Sequence, residues 1–158
     1  MREFQLQLIA DNQRPIVNMR DTNISAMLDT GSIFPVWIAD EKLLVNYMHA
    51  TLIKERVPFG GFGGEAIGNL YRIPMLNLGD LEYPNIYMIA HRMNLPFHMI
   101  ISATMLNRLR YEVDDENHVL TITIPEGQSH IRKLTITDSQ GKLHVLCVDG
   151  EPEKAAED

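Results

Sequence analysis

Cys147 is the only cysteine, so no internal disulfide can staple this chain. That is the usage of a reducing compartment and points to the cytoplasm. No stretch approaches the roughly 18 continuous apolar residues that cross a bilayer. The opening MREFQLQLIADNQRP also lacks the apolar core of a signal peptide. Basic residues are outnumbered, 14 Lys+Arg against 21 Asp+Glu, for a net charge of −7. No Lys/Arg cluster stands out that could follow a phosphate backbone, so neither nucleic acid nor a membrane is an expected partner. The six histidines, His49, His91, His98, His118, His130 and His144, are scattered without metal-ligand spacing. No metal and no cofactor are expected.

What remains is an ordinary globular composition, 45% hydrophobic over 158 residues. A chain of this length buries about 68–70% of its unfolded surface and can fold without staples. Residues 1–150 are expected to form one domain, and 151–158 a frayed acidic tail. The apolar pattern is mostly β. FQLQLI alternates, PIVNMR follows a turn, and ISAML runs straight into Asp29. DEKLLVNYMH has helical spacing, which predicts a short helix or a wide loop. Thr51–Phe59 and Glu65–Leu78 read as strands joined by a glycine-rich turn, which predicts a hairpin with a mobile tip. Leu81–Ala90 is a strand that Pro84 places at an edge or a bulge. His98–Ile101 reads as a short buried strand, and Ser102 then N-caps a helix to Leu109. Two further hairpins follow, Arg110–Ile124 and Ile131–Val148, the second carrying Cys147 in an apolar strand. Nine methionines fill the core, and Met88, Met93 and Met99 are candidates for an adaptable pocket.

The residues with chemical meaning are Asp29-Thr30-Gly31-Ser32. With uniform residue usage Asp-Thr-Gly arises by chance in roughly two per cent of chains this long, so the triplet decides little by itself. Its context adds weight. The apolar strand before it delivers the carboxylate from a rigid element. Gly31 permits a tight turn, Thr30 offers a hydroxyl for cross-bracing, and Ser32 offers one to the carboxylate.

This loop resembles the catalytic loop of retroviral-type, or retropepsin-like, aspartic proteases. The resemblance extends in order over about residues 5 to 125. The flap would be Phe59, Gly60, Gly61, Phe62, Gly63 and Gly64. The later element of two apolar residues and a glycine would be Ile100-Ile101-Ser102, followed by a short helix. The resemblance implies a closed β-barrel of the acid-protease fold and a homodimer with Asp29 from each copy. It implies an endopeptidase acting on a peptide or protein substrate. Asp29 would be catalytic, with Thr30, Gly31 and Ser32 as loop support and Ile100, Ile101 and Ser102 as the floor. Asp21-Thr22-Asn23 and Asp138-Ser139-Gln140 lack the glycine, so a complete site needs a second chain.

Two departures stand beside the likeness. Ser102 replaces the usual glycine. Ile33 and Ala103 occupy positions where many members have an acid and its paired arginine. The alternative is therefore a non-catalytic peptide-binding or dimerisation module on the same fold. A structural β-domain in which Asp-Thr-Gly is only a turn signal is a third reading.

Overall fold

A computed structural model of the chain describes residues 1–9, 14–61, 64–139 and 142–149. The elements in order are β1 (Arg2–Gln7), β2 (Ile16–Asn18), β3 (Ser25–Asp29), β4 (Val36–Trp37), α1 (Glu41–Met48), β5 (Thr51–Gly61) and β6 (Gly64–Leu78). They continue with β7 (Leu81–Ala90), β8 (Met99–Ser102), a 3-10 helix (Ala103–Leu106), β9 (Arg110–Asp114), β10 (Val119–Ile124), β11 (Arg132–Ser139) and β12 (Lys142–Asp149). The mostly β architecture matches the alternation of the sequence. Seven strands form one sheet in the order β2-β3-β8-β4-β7-β6-β5. The other two sheets are β1-β10-β9 and β11-β12.

Alternation along β3 and β8 sends side chains to two apolar clusters. Ala26, Leu28, Met99 and Ile101 enter the larger core around Trp37, Tyr83 and Leu120. Ile100 enters the smaller cluster with Phe34, Val57, Phe59 and Ile89, and Met27 packs against it. The sheet is thereby held from both faces at the point where β3 meets β8. Met88 and Met99 belong to the larger core and Met93 borders the smaller one, so the three methionines line no common pocket.

Three local features differ from expectation or refine it. DEKLLVNYMH is helical over Glu41–Met48, with Asp40 as N-cap and its side chain accepting from the Lys42 amide. Ser102 has N-cap geometry, but its side chain makes no capping hydrogen bond. The helix expected to Leu109 is instead one 3-10 turn ending at Leu106. Its carbonyls explain the stop. Met105 O accepts from the Tyr83 hydroxyl (2.9 Å) and from Arg132 Nε (3.2 Å), and Asn107 O accepts from the same guanidinium. Arg108 then turns the chain at φ 66°. Pro84 lies in β7 beyond the two residues that β4 pairs with, beside Asn85 at φ 50°. The missing amide therefore interrupts no bond to β4.

The β5–β6 hairpin is irregular near its base. The register shifts between Leu52 and Lys54 and again between Lys54 and Val57. Arg56 stands in the second shift at φ 55°, its amide donating to Asn69 Oδ1 at 3.0 Å. Asn69 and Tyr71 both donate to Glu41 Oε1, at 2.9 and 2.8 Å, which ties the hairpin to the start of α1. Burial, and then this bond to Glu41, push the Tyr71 phenol up to about 12.

Candidate active site

Asp29 is the last residue of β3, and the parallel register sets it opposite Ser102, the last residue of β8. Strand alternation puts both on the side of the smaller cluster, with Met27 and Ile100 behind them. The half-buried carboxylate accepts from the Gly31 amide at 2.9 Å through Oδ1. The Ser32 amide closes the turn onto the Asp29 carbonyl at 3.1 Å. Gly31 has no positive φ; its requirement is one of space. A Cβ there would stand 3.2 Å from Asp29 Oδ1, tighter than a comfortable contact.

The Ser32 hydroxyl does not reach the carboxylate. It donates to the Phe34 carbonyl at 2.7 Å and stiffens the far side of the loop. The loop is then fastened to the 3-10 helix by two bonds. The Ala103 amide donates to Ser32 O at 2.9 Å, and Thr104 Oγ1 donates to Ile33 O at 2.6 Å. These bonds join the segments of Ile33 and Ala103, where an acid–arginine pair was looked for in the sequence. Thr30 is exposed, and Ile33 is 66% exposed.

Ser102 is fully buried, and its hydroxyl has no hydrogen-bond partner among the described residues. A buried, unanswered hydroxyl is costly, so its presence beside the carboxylate calls for a reason.

Of the glycine-rich segment, Phe62 and Gly63 lie outside the described residues. Gly61 pairs with Gly64 to close the described part of the hairpin, and Gly60 pairs with Glu65. A Cβ on Gly60 would meet nothing within 4 Å, so sterics there do not demand glycine. Phe59 is buried in the smaller cluster with Ile100, its ring edge-on to His91 at 5.6 Å. Its side chain anchors the hairpin close to the tip. Further along the hairpin sterics do require glycine at Gly68, where a Cβ would come within 2.5 Å of the Ala90 carbonyl oxygen.

His98 supports the floor from the other end of β8. Its Nδ1 accepts from the Ser25 amide and lies 3.0 Å from the Ser25 hydroxyl, so the ring proton resides on Nε2. Burial holds its pKa below the usual histidine value. Among the described residues, no group of three or more His, Cys, Asp or Glu is arranged to hold a metal. None of their helices is long and apolar enough to cross a membrane.

A solved structure shares the overall fold of this chain. That structure is a retropepsin-like aspartic protease from Rickettsia conorii. The fold is retropepsin-like. The two chains superpose with a TM-score of 0.50 at 16% identity, over 77% of this chain and 89% of that one. The likeness is one of fold. No protein-family model and no curated protein matches the sequence. Arg132, buried and bonded to the 3-10 helix of the retropepsin-like fold, was missed at the sequence level. Its signal is that Arg132 shares the inward face of its strand with Leu134 and Ile136, where an apolar residue belongs.

Proposed function

We propose that this chain is one subunit of a homodimeric aspartic endopeptidase, with the dyad formed by Asp29 of each copy. The observation that carries the proposal is the placement of Asp29. It ends a buried strand in an Asp-Thr-Gly loop, on a retropepsin-like fold, and the loop is fastened through Ala103 and Thr104. In this proposal residues 1–150 act as one unit, and the enzyme works in the cytoplasm on a peptide or protein substrate. Exposed Thr30 and Ile33 suit contact with a second copy.

Two carboxylates about 3 Å apart cannot both ionise cheaply, so they share one proton. The ionised one takes a proton from a water whose oxygen bonds to the scissile carbonyl carbon. The protonated one donates to the carbonyl oxygen. When the tetrahedral species collapses, the C–N bond breaks and the amine nitrogen takes up a proton. The glycine-rich hairpin Phe59–Gly64 serves as the flap over an extended substrate, and Ile100, Ile101 and Ser102 form the floor.

The test is to unfold, mix and refold wild-type and Asp29→Asn chains, with exchange verified by a tagged pull-down. If activity needs two wild-type chains, it follows the square of the wild-type fraction, and an equal mixture keeps about a quarter. A straight line under verified exchange excludes the shared dyad. Identical digests from wild type and pure Asp29→Asn exclude the protease. The unanswered Ser102 hydroxyl favours a second reading, in which the same groove binds peptide without cleaving it.

A further inference from the structure

The loop that carries Asp29 is fastened to the 3-10 helix, and that helix is fastened in turn by a residue far along the chain. Arg132 opens β11 and is 1% exposed. Its Nε donates to Met105 O at 3.2 Å, and a terminal nitrogen donates to Asn107 O. Tyr83 reaches Met105 O as well. The opposite end of the same helix supplies the Ala103 amide to Ser32 O and the Thr104 hydroxyl to Ile33 O. One short helix thus has its first residues on the Asp29 loop and its last carbonyls on a guanidinium.

A burial argument alone would have put an aliphatic side chain at residue 132. An arginine is costly to desolvate, and its planar fork suits the two carbonyls it meets here. The hairpin that supplies it lies beyond the segment, residues 5 to 125, over which the catalytic elements follow one another.

We propose that Arg132 is a positioning residue for Asp29: it fixes the 3-10 helix, and through Ala103 and Thr104 the height and tilt of the Asp29 loop. The β11–β12 hairpin is then part of the active-site scaffold. The proposal deepens the protease reading and rests on it for its consequence in turnover. Its structural half stands apart.

The experiment compares wild type, Arg132→Met, Arg132→Lys and, as a control on the same hairpin, Leu134→Ala. Leu134 is buried but makes none of these bonds. Amide hydrogen exchange is followed at Ser32 and Ala103, whose amides hold the loop, and along β11–β12. Arg132→Met is expected to speed exchange at Ser32 and Ala103 at least tenfold more than Leu134→Ala does. In turnover, Arg132→Met is expected to lower kcat at least tenfold with KM within twofold of wild type. Leu134→Ala, measured where it is folded, should keep kcat. Arg132→Lys, which keeps the charge and loses the fork, should fall between, and it carries the test if Arg132→Met does not fold. Unchanged exchange at Ser32 and Ala103 in a folded Arg132 variant overturns the proposal. So does a loss of kcat that Leu134→Ala matches. If wild type cleaves nothing while the exchange result holds, the protease reading has failed and the brace has not.

Discussion

Removing the buried hydroxyl of Ser102, set opposite Asp29 in the sheet, should make this chain more stable. Ser102 is 0% exposed, and its Oγ has no partner among the described residues. Leaving such a group unpaired in the interior costs ~1–3 kcal/mol. Ser102→Ala removes the oxygen and keeps the Cβ, so the void left is smaller than a methyl group. Allowing a few tenths for lost packing, the net gain is about 1 kcal/mol. With a urea m-value of ~1–3 kcal/mol per molar, the unfolding midpoint should rise by roughly 0.3–1 M. The melting temperature should rise by about 2–4 °C. Ser102→Gly gives a second reading of the same site. The backbone at Ser102 is extended, φ −81° and ψ 161°, so glycine gains nothing from its freedom there. Its conformational entropy in the unfolded chain costs ~0.5–1 kcal/mol and offsets most of the benefit. The expected order is therefore Ala above Ser, with Gly near Ser. The assay is urea denaturation at dilutions where the midpoint no longer depends on protein concentration, because association would add stability of its own. A Ser102→Ala midpoint below wild type would refute the reasoning and mean that the hydroxyl has a partner in the lone subunit.

Four further outcomes follow from the same contacts. Ser32→Ala should leave the pH–rate profile in place, because its hydroxyl serves the Phe34 carbonyl; a shifted acidic limb would show contact with the carboxylate. Stability should fall as the pH drops below about 6.5, since the unfolded chain takes up a proton that buried His98 resists. His98→Asn, which can keep an acceptor for the Ser25 amide, should flatten that slope in denaturation series, and an unchanged slope would exonerate His98. Glu41→Gln should bring the Tyr71 phenol down from about 12, seen as earlier ionisation in an ultraviolet titration of the folded protein. Gly68→Ala should destabilise by ~1–3 kcal/mol, because its Cβ meets backbone that cannot swing aside; a neutral result in urea denaturation would show that β6 and β7 can part there.

The strands were legible because one face of each is buried, and burial writes period-two alternation into FQLQLI, SAMLD and VLTITI. The Asp29 loop was legible because an apolar strand runs directly into the Asp-Thr-Gly triplet. The 3-10 helix was not. Ser102 to Leu109 has the spacing of a longer helix, and what stops it is Arg132, a partner distant in sequence. Ser32 departs for a local reason: its hydroxyl bonds the Phe34 carbonyl two residues on and not the carboxylate. The two-residue strand Val36–Trp37 is too short to show any period, yet it joins β7 to β8 at the centre of the sheet. Phe59 opens the flap expected from the sequence, and its burial with Ile100 makes it an anchor of that hairpin. Local pattern reveals which face is buried; it does not reveal which distant donor reaches a given oxygen.

The sheet pairings also set a timetable for synthesis. Asp29 ends a strand whose parallel neighbour finishes at Ser102, and the first strand pairs Arg2 with Ile124. Neither partnership can form while the chain is still short. At ribosomal speeds of 5–20 residues per second, the segment ending at Asp29 waits on the order of 4–15 s before its neighbour has been made. During that interval its apolar residues have no sheet to join, and the carboxylate has no floor. Pairings between residues so distant in sequence also slow the final closure. A ribosome-bound fragment stopped before Met99 therefore lacks the strand that pairs with the Asp29 segment and leaves apolar residues of that segment uncovered.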